Sequence, residues 1–175
     1  MPRVTKEQIE MDEKKVIAHL MEDASQSIND IAKKCNFSRQ KVWRIIKRLE
    51  KNKVFWGSTV VVDEEKIGKR GYCILIKKSV YPVTEELAGK IIRRDIEKLA
   101  KKLDVMIEDS FYTHGKYDWV LYITAPDIAV AKKFSDSLVK LYETYIADID
   151  VLETLFPIKK SGLINPQRER LREFV

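Results

Sequence analysis

Residues 27–53 read SINDIAKKCNFSRQKVWRIIKRLEKNK, and this stretch decides the fold. Ser27 and Ser38 each precede a run with helical periodicity, which predicts two helices that begin at serine caps. The second run places its apolar residues at spacing i, i+3, i+4 and i+7, and these are Val42, Ile45, Ile46 and Leu49. Asn36 and Phe37 form a tight connection between the runs. Two short helices joined in this way predict a helix-turn-helix, whose second helix usually carries the recognition side chains.

The segments on either side complete a predicted N-terminal domain, residues 1–63. Asp12 is the expected N-cap of a first amphipathic helix, whose apolar residues are Val16, Ile17, Leu20 and Met21. Residues 54–56 and 58–63 are rich in β-branched and aromatic residues, with Gly57 between them. This pattern predicts a two-stranded wing with Trp56 in its core. A charged, glycine-containing stretch, residues 64–71, is the predicted linker.

The basic residues of the chain are concentrated in the predicted helix-turn-helix. Residues 33–53 contain nine Lys or Arg and one acidic residue, whereas the net charge of the whole chain is only +6. The remaining 154 residues therefore carry a net charge of −2. Such a local excess is typical of a phosphate-binding surface and predicts double-stranded DNA as the partner.

A helical projection of the third helix assigns a role to each polar side chain. Gln40 and Arg44 lie opposite the apolar stripe and are the expected base-reading residues, because Gln pairs with adenine and Arg with guanine. The expected phosphate contacts are Arg39, Lys41, Lys47 and Arg48. Ser38 caps the helix and leaves its N-terminal dipole free to face a phosphate. Trp43 has two open interpretations, since it either stacks on the sugar-phosphate backbone or packs under the wing.

The second half of the chain predicts a ferredoxin-like βαββαβ domain over residues 72–156, so the fold class is α+β. The expected strands are 72–80, 105–113, 119–125 and 147–156, and the expected helices are 84–103 and 126–145. Both helices should cover one face of an antiparallel sheet. A C-terminal extension, residues 157–175, contains Asn165 and Pro166 as the start of a short helix that ends at Phe174.

These features resemble the Lrp/AsnC (feast/famine) transcriptional regulators. The resemblance is carried by residues 31–34, 37–38 and 42–50, continues through Val54, Asp63 and residues 67–68, and resumes at the Gly-Lys-Tyr-Asp turn, residues 115–118. It implies a homodimer formed through the second domains, which are ligand-sensing (RAM-type) domains in that family. Such dimers often assemble further into octamers. The chain departs from the family pattern at Lys53, where a glycine is usual, and Asn52 is the expected left-handed residue in its place. The extension either docks on a partner subunit or lies in solvent.

The resemblance also implies a small effector, commonly an amino acid, bound near this turn. The corresponding residues here are His114, Gly115, Lys116, Tyr117, Asp118 and Thr154. Asp118 can accept a hydrogen bond from the ammonium group, and backbone N–H groups of the turn can donate to the carboxylate. The alternative is that Gly115 only provides a positive φ and Asp118 only closes the hairpin.

Other function classes receive little support from the sequence. Cys35 and Cys73 form no CxxC motif and are interpreted as core residues, and no catalytic residue, metal site or cofactor is predicted. The apolar runs are too short to span a membrane, and residues 1–10 contain no signal-peptide core, so the expected location is the cytoplasm.

Two alternatives to a sequence-specific regulator stay open. One is an architectural protein that coats DNA with little sequence preference, and the other is an enzyme resembling siroheme decarboxylases, for which His114 is the only histidine in the second domain.

Overall fold

The computed structural model describes residues 5–175, so residues 1–4 of the predicted N-terminal domain lie outside the described part. The chain divides into two compact units. The first unit ends at Val61, and the second covers Val62–Val175. No helix within residues 5–175 is both long enough and apolar enough to cross a membrane.

The first unit consists of three helices, α1 (Lys6–Glu22), α2 (Ile28–Cys35) and α3 (Arg39–Lys51). The predicted caps of the second and third helices are confirmed, because Ser27 accepts a hydrogen bond from the Asp30 backbone N–H and Ser38 accepts one from that of Lys41. Asn36 ends α2 in the left-handed conformation, with φ 56°, which turns the chain sharply into α3. The buried residues of this core are Val16, Ile31, Ala32, Cys35, Val42, Ile45 and Leu49.

The prediction that Asp12 caps the first helix is wrong. Thr5 is the N-cap and accepts a hydrogen bond from the Gln8 backbone N–H, so α1 begins about two turns earlier. Asp12 lies inside α1, one turn before Val16 on the same helix face, and only 4 % of its surface is exposed. A buried carboxylate in this position needs a partner, which is described below.

The predicted wing strands are not formed. Within the described residues, no strand occurs between Lys51 and Arg70, and Trp56 is 92 % exposed rather than part of a wing core. A two-stranded hairpin is marginal without apolar contact, and an exposed Trp56 supplies none. Asn52 is also not the left-handed residue, since its φ is −83°. Lys53 itself adopts φ 58°, in the position where the resembled family has glycine.

The second unit is built on a four-stranded sheet in the order β2-β3-β1-β4, and all three pairings are antiparallel. Its elements are β1 (Arg70–Lys78), α4 (Glu85–Ile92), α5 (Asp95–Lys102), β2 (Met106–Tyr112), β3 (Trp119–Ala125), α6 (Ile128–Leu141) and β4 (Ile146–Glu153). The order of strands and helices and the strand pairing confirm the ferredoxin-like fold. Alternate residues of β1, namely Tyr72, Ile74 and Ile76, are buried in the main core.

The single helix predicted over residues 84–103 is wrong, because α4 and α5 are separate. Leu87 and Ile96 are both buried, yet nine residues at about 100° each place them on opposite sides of one continuous helix. The chain resolves this conflict at Arg94, which adopts φ 52° and starts a new helix in a different direction. The break therefore allows both apolar residues to reach the core.

The C-terminal extension packs on the second unit. It forms a short hairpin of β5 (Lys159–Lys160) and β6 (Leu163–Ile164), which sequence analysis missed, and then a 3₁₀ segment, Arg168–Glu173, in place of the predicted helix. The Asn165 side chain still accepts a hydrogen bond from the Gln167 backbone N–H at the start of that segment. Lys160 forms ion pairs with Glu64 and Glu108. The stretch predicted as a linker thus holds the buried Glu64, a 3₁₀ turn at Glu65–Ile67 and the first residues of β1.

Candidate nucleic-acid interface

Helix α3 presents most of the predicted DNA-binding residues on one exposed surface. Six of the eight are exposed, and these are Ser38, Arg39, Gln40, Trp43, Arg44 and Lys47. Lys41 and Arg48 are half-buried. The apolar stripe predicted from the sequence accounts for this orientation, because Val42, Ile45 and Leu49 face the core and turn the opposite side of α3 outward.

The first two turns of α3 surround a shallow concavity of about 600 Å³. Arg39, Gln40, Trp43 and Arg44 line it together with Ile28 from the start of α2. The Arg44 Nε–H donates to the Gln40 backbone carbonyl at 3.4 Å, which directs the guanidinium toward the N-terminal end of the helix. This is the end from which a recognition helix contacts base edges in the major groove.

Lys41 is held against α1 by an ion pair. Its Nζ lies 2.6 Å from Asp12 Oδ2 and 3.8 Å from the centre of the Phe37 ring. Burial disfavours the ionised form of Asp12, but hydrogen bonds from Lys41 and Gln8 outweigh it and keep the pKa of this carboxyl below its usual value. Lys41 therefore positions α3 on α1, whereas the sequence suggested a phosphate contact.

Two other cations of α3 are also paired with carboxylates. Arg48 binds Glu13 of α1, and Lys47 Nζ lies 2.7 Å from Glu50 Oε2 on the exposed helix surface. Sequence analysis missed Asp12 and Glu13 as the partners on α1. The available signal was their position one turn before the buried Val16 and the partly buried Ile17, on the face that α1 turns inward.

Six basic residues of the region make no ion pair with any of residues 5–175. They are Lys33, Lys34, Arg39, Arg44, Lys51 and Lys53, and all six are exposed. Lys34 donates a hydrogen bond to the Gln26 side-chain oxygen. Among the nine cations counted in the sequence, these six carry positive charge that no described carboxylate offsets.

The predicted effector turn lies at one end of the sheet and is already hydrogen-bonded. Asp118 accepts a hydrogen bond from the Lys78 backbone N–H at 3.0 Å, and its other carboxylate oxygen lies 3.6 Å from Lys78 Nζ. The Tyr117 hydroxyl donates to Asp150 on β4 at 2.9 Å. Gly115 adopts φ 156° with open space around it. His114, Gly115 and Lys116 are exposed at the tip of the turn.

Thr154 does not join these residues within one protomer. Its backbone N–H donates to the Gly71 carbonyl, whereas that of Asp118 donates to the Ile76 carbonyl. Gly71 and Ile76 are five residues apart on β1, which corresponds to about 17 Å along a strand. The structure therefore separates Thr154 from the other five candidates.

Comparisons with known proteins agree with both units. Residues 13–54 match the family of winged helix-turn-helix DNA-binding domains. No curated protein matches the chain in sequence. Among solved structures, an AsnC family transcriptional regulator from Agrobacterium tumefaciens aligns with a TM-score of 0.63 at 19 % identity, over 94 % of this chain and 98 % of that one. The chain has the AsnC/Lrp fold.

Two further structures with this fold cover most of the chain. The complex of the Neisseria meningitidis regulator NMB0573 with L-Met has a TM-score of 0.63 at 16 % identity, over 94 % of this chain and 97 % of that chain. Bacillus subtilis LrpC has a TM-score of 0.59 at 19 % identity, over 85 % and 95 % of the two chains. The AsnC/Lrp fold that the sequence resemblance implied is thereby confirmed across both units.

Proposed function

We propose that the protein is a transcriptional regulator that binds double-stranded DNA in a sequence-specific manner. The observation that carries this proposal is the exposed surface of α3, where Gln40 and Arg44 lie beside Arg39, which pairs with no carboxylate of residues 5–175. Gln and Arg are the side chains that pair bidentately with adenine and guanine, and an unpaired Arg can meet a phosphate. The AsnC/Lrp fold supports the same function. The proposal places the protein in the cytoplasm and assigns it no catalytic activity.

A homodimer or larger assembly is the proposed DNA-binding form. The sheet of the second unit carries its helices on one face, and half-exposed apolar side chains occur on the other. Phe111 is 49 % exposed, Tyr122 is 44 % exposed and Leu152 is 51 % exposed. Pairing of this face with a second copy would bury them and present two α3 helices to successive major grooves of a pseudo-palindromic site.

An amino-acid effector at the turn of residues 114–118 is part of the proposal. The solved structure of one neighbour, the Neisseria meningitidis regulator NMB0573, is that of its complex with L-Met. In this chain Asp118 already binds Lys78, so an effector ammonium would replace the Lys78 ammonium group at the same carboxylate. Thr154 would reach that ligand only from a neighbouring subunit. Effector binding regulates DNA affinity only if the two assembly states bind the effector with different affinity.

The experiment that tests DNA recognition compares two duplexes across a salt series. The full-length protein is titrated with the duplex upstream of its own gene and with a shuffled duplex of the same composition. The proposal predicts at least a hundredfold preference for the upstream duplex, and log affinity should fall with log salt by about 0.9 per phosphate contacted. Equal binding to both duplexes would favour an architectural DNA-coating protein. Absence of binding at low salt would contradict the proposal.

A further inference from the structure

Trp43 is an exposed aromatic residue on the recognition surface. It is 51 % exposed, so it does not pack under a wing, which was one of the two interpretations of the sequence. Single exposed apolar side chains are common on protein surfaces, so the position of Trp43 matters more than its exposure. The neighbours of Trp43 on α3 and α2 show which partner it can meet.

The position of Trp43 on α3 places it with the base-reading residues rather than with the flanks. Trp43 precedes Arg44 directly and follows Gln40 by three residues, so it lies about 60° from Gln40 around the helix axis. All three side chains line the same 600 Å³ concavity. A helix that brings Gln40 and Arg44 to base edges therefore brings the indole ring there too.

The concavity combines an apolar surface with a positive rim. Trp43 and Ile28 supply the apolar surface, and Arg39 and Arg44 supply positive charge without a carboxylate partner among residues 5–175. A polyanion with one apolar group on its edge is complementary to this arrangement. In the major groove of DNA, that group is the 5-methyl of thymine, which adenine, guanine and cytosine lack.

We propose that Trp43, together with Ile28, binds the 5-methyl group of a thymine next to the base pairs contacted by Gln40 and Arg44. This inference rests on the proposed DNA-binding function and adds a specificity-determining residue to it. Trp43 selects thymine by apolar contact, whereas Gln40 and Arg44 select their bases by hydrogen bonds. The preferred site therefore contains a required thymine in each half-site.

The test removes the methyl group from the DNA and the indole from the protein, separately and together. A preferred duplex is first selected from a random-sequence library with the full-length wild-type chain. Each thymine of that duplex is then replaced singly by deoxyuridine, which differs only by the absent methyl group. Dissociation constants are measured for the wild type, Trp43→Ala, Trp43→Phe and Trp56→Ala. Trp56→Ala is the matched control, because Trp56 is also exposed but lies outside α3.

The expected result is a loss of about fourfold in wild-type affinity at one thymine per half-site, equivalent to one methyl group removed from an apolar contact. Trp43→Ala should bind the unmodified duplex more weakly and should not respond to deoxyuridine at that position. Trp43→Phe should keep part of the response, and Trp56→Ala should keep all of it. Equal unfolding midpoints of the four proteins would show that each variant folds.

Three results would overturn the inference. The first is a wild type that does not respond to deoxyuridine at any position or selects a site without thymine. The second is a Trp43→Ala variant that responds as the wild type does, since another residue would then contact the methyl group. The third is equal binding to all duplexes, which overturns base reading but leaves DNA binding intact. Failure to bind any duplex would instead overturn the proposed function itself.

Discussion

Replacing Asp12 with Asn should destabilise the three-helix unit, because this carboxylate joins α1 to α3. Asp12 accepts hydrogen bonds from Lys41 at 2.6 Å and from Gln8 at 3.0 Å. Hydrogen bonds to charged groups contribute roughly 1.5–3 kcal/mol each. The Lys41 side chain is 42 % exposed and regains water once the charge is removed. The expected loss is therefore near the lower end, about 1–2 kcal/mol.

The pH dependence of this effect identifies the charge as its cause. The pKa of Asp12 is lower in the folded protein than in the unfolded chain, so folding is favoured while the unfolded carboxyl is ionised. This contribution is present above about pH 4 and is lost as the pH falls through the lower folded pKa. The difference between wild type and Asp12→Asn should consequently shrink in acid.

Urea unfolding of the full-length chain, followed by circular dichroism at pH 7 and near pH 3, measures both quantities. Glu50→Gln is the matched control, because it removes the exposed pair with Lys47, which contributes well under 1 kcal/mol. The reasoning is refuted if Asp12→Asn is as stable as the wild type at pH 7. It is also refuted if the same deficit persists in acid, because packing and not charge would then be responsible.

Two other substitutions test the local structure. Lys160→Met should lower the stability of the second unit by about 2 kcal/mol, because it leaves the largely buried Glu64 and Glu108 without a cation. Lys159 is next to Lys160 but exposed, so Lys159→Met should leave the stability unchanged in the same urea assay. Lys53→Gly should stabilise the first unit by about 1 kcal/mol, because Lys53 adopts a left-handed φ of 58° that costs a side-chain-bearing residue energy. Lys51→Gly, at the last residue of α3, should instead destabilise the first unit, by at most about 1 kcal/mol. If both glycine variants changed the stability in the same direction, the left-handed strain assigned to Lys53 would be contradicted.

The sequence predicts the parts of this fold that depend on local chemistry. Ser27 and Ser38 cap their helices as expected, since a serine before a periodic apolar run satisfies backbone N–H groups at the helix start. Trp119 to Ala125 forms a strand with the predicted bounds, and the βαββαβ order follows from periodicity alone. These features need no knowledge of distant contacts.

The errors arise where tertiary contacts decide. The apolar composition around Trp56 predicted strands, but composition does not supply the surface on which a hairpin must pack. Arg94 breaks a helix because Leu87 and Ile96 must both reach one core, and this is visible only when their angular positions are compared. Charge counting likewise does not reveal the ion pair of Lys41 with Asp12, which is 29 residues earlier in the chain. The phosphate contact expected of Lys41 stays a prediction.

The candidate site was predictable in composition but not in detail. Gln40 and Arg44 lie on one exposed surface as expected, because an amphipathic stripe fixes the opposite face of a helix. For Trp43 the sequence left two interpretations open, and its exposure excludes packing under a wing. The separation of Thr154 from Asp118 depends on the register of β1 with β4, which local patterns do not reveal. Sequence therefore predicts helix faces better than it predicts which strand ends meet.

The central claim is that α3 reads base pairs through Arg44. The most direct measurement is the affinity of wild type, Arg44→Ala and Lys47→Ala for the preferred duplex and for a shuffled duplex at one salt concentration. We expect Arg44→Ala to lose about 1–3 kcal/mol on the preferred duplex and much less on the shuffled one. Lys47→Ala should weaken both alike, because the exposed pair of Lys47 with Glu50 is weak and leaves the ammonium group able to contact a phosphate. If Arg44→Ala also weakens both duplexes equally, Arg44 contacts only the backbone and the claim of base reading is wrong.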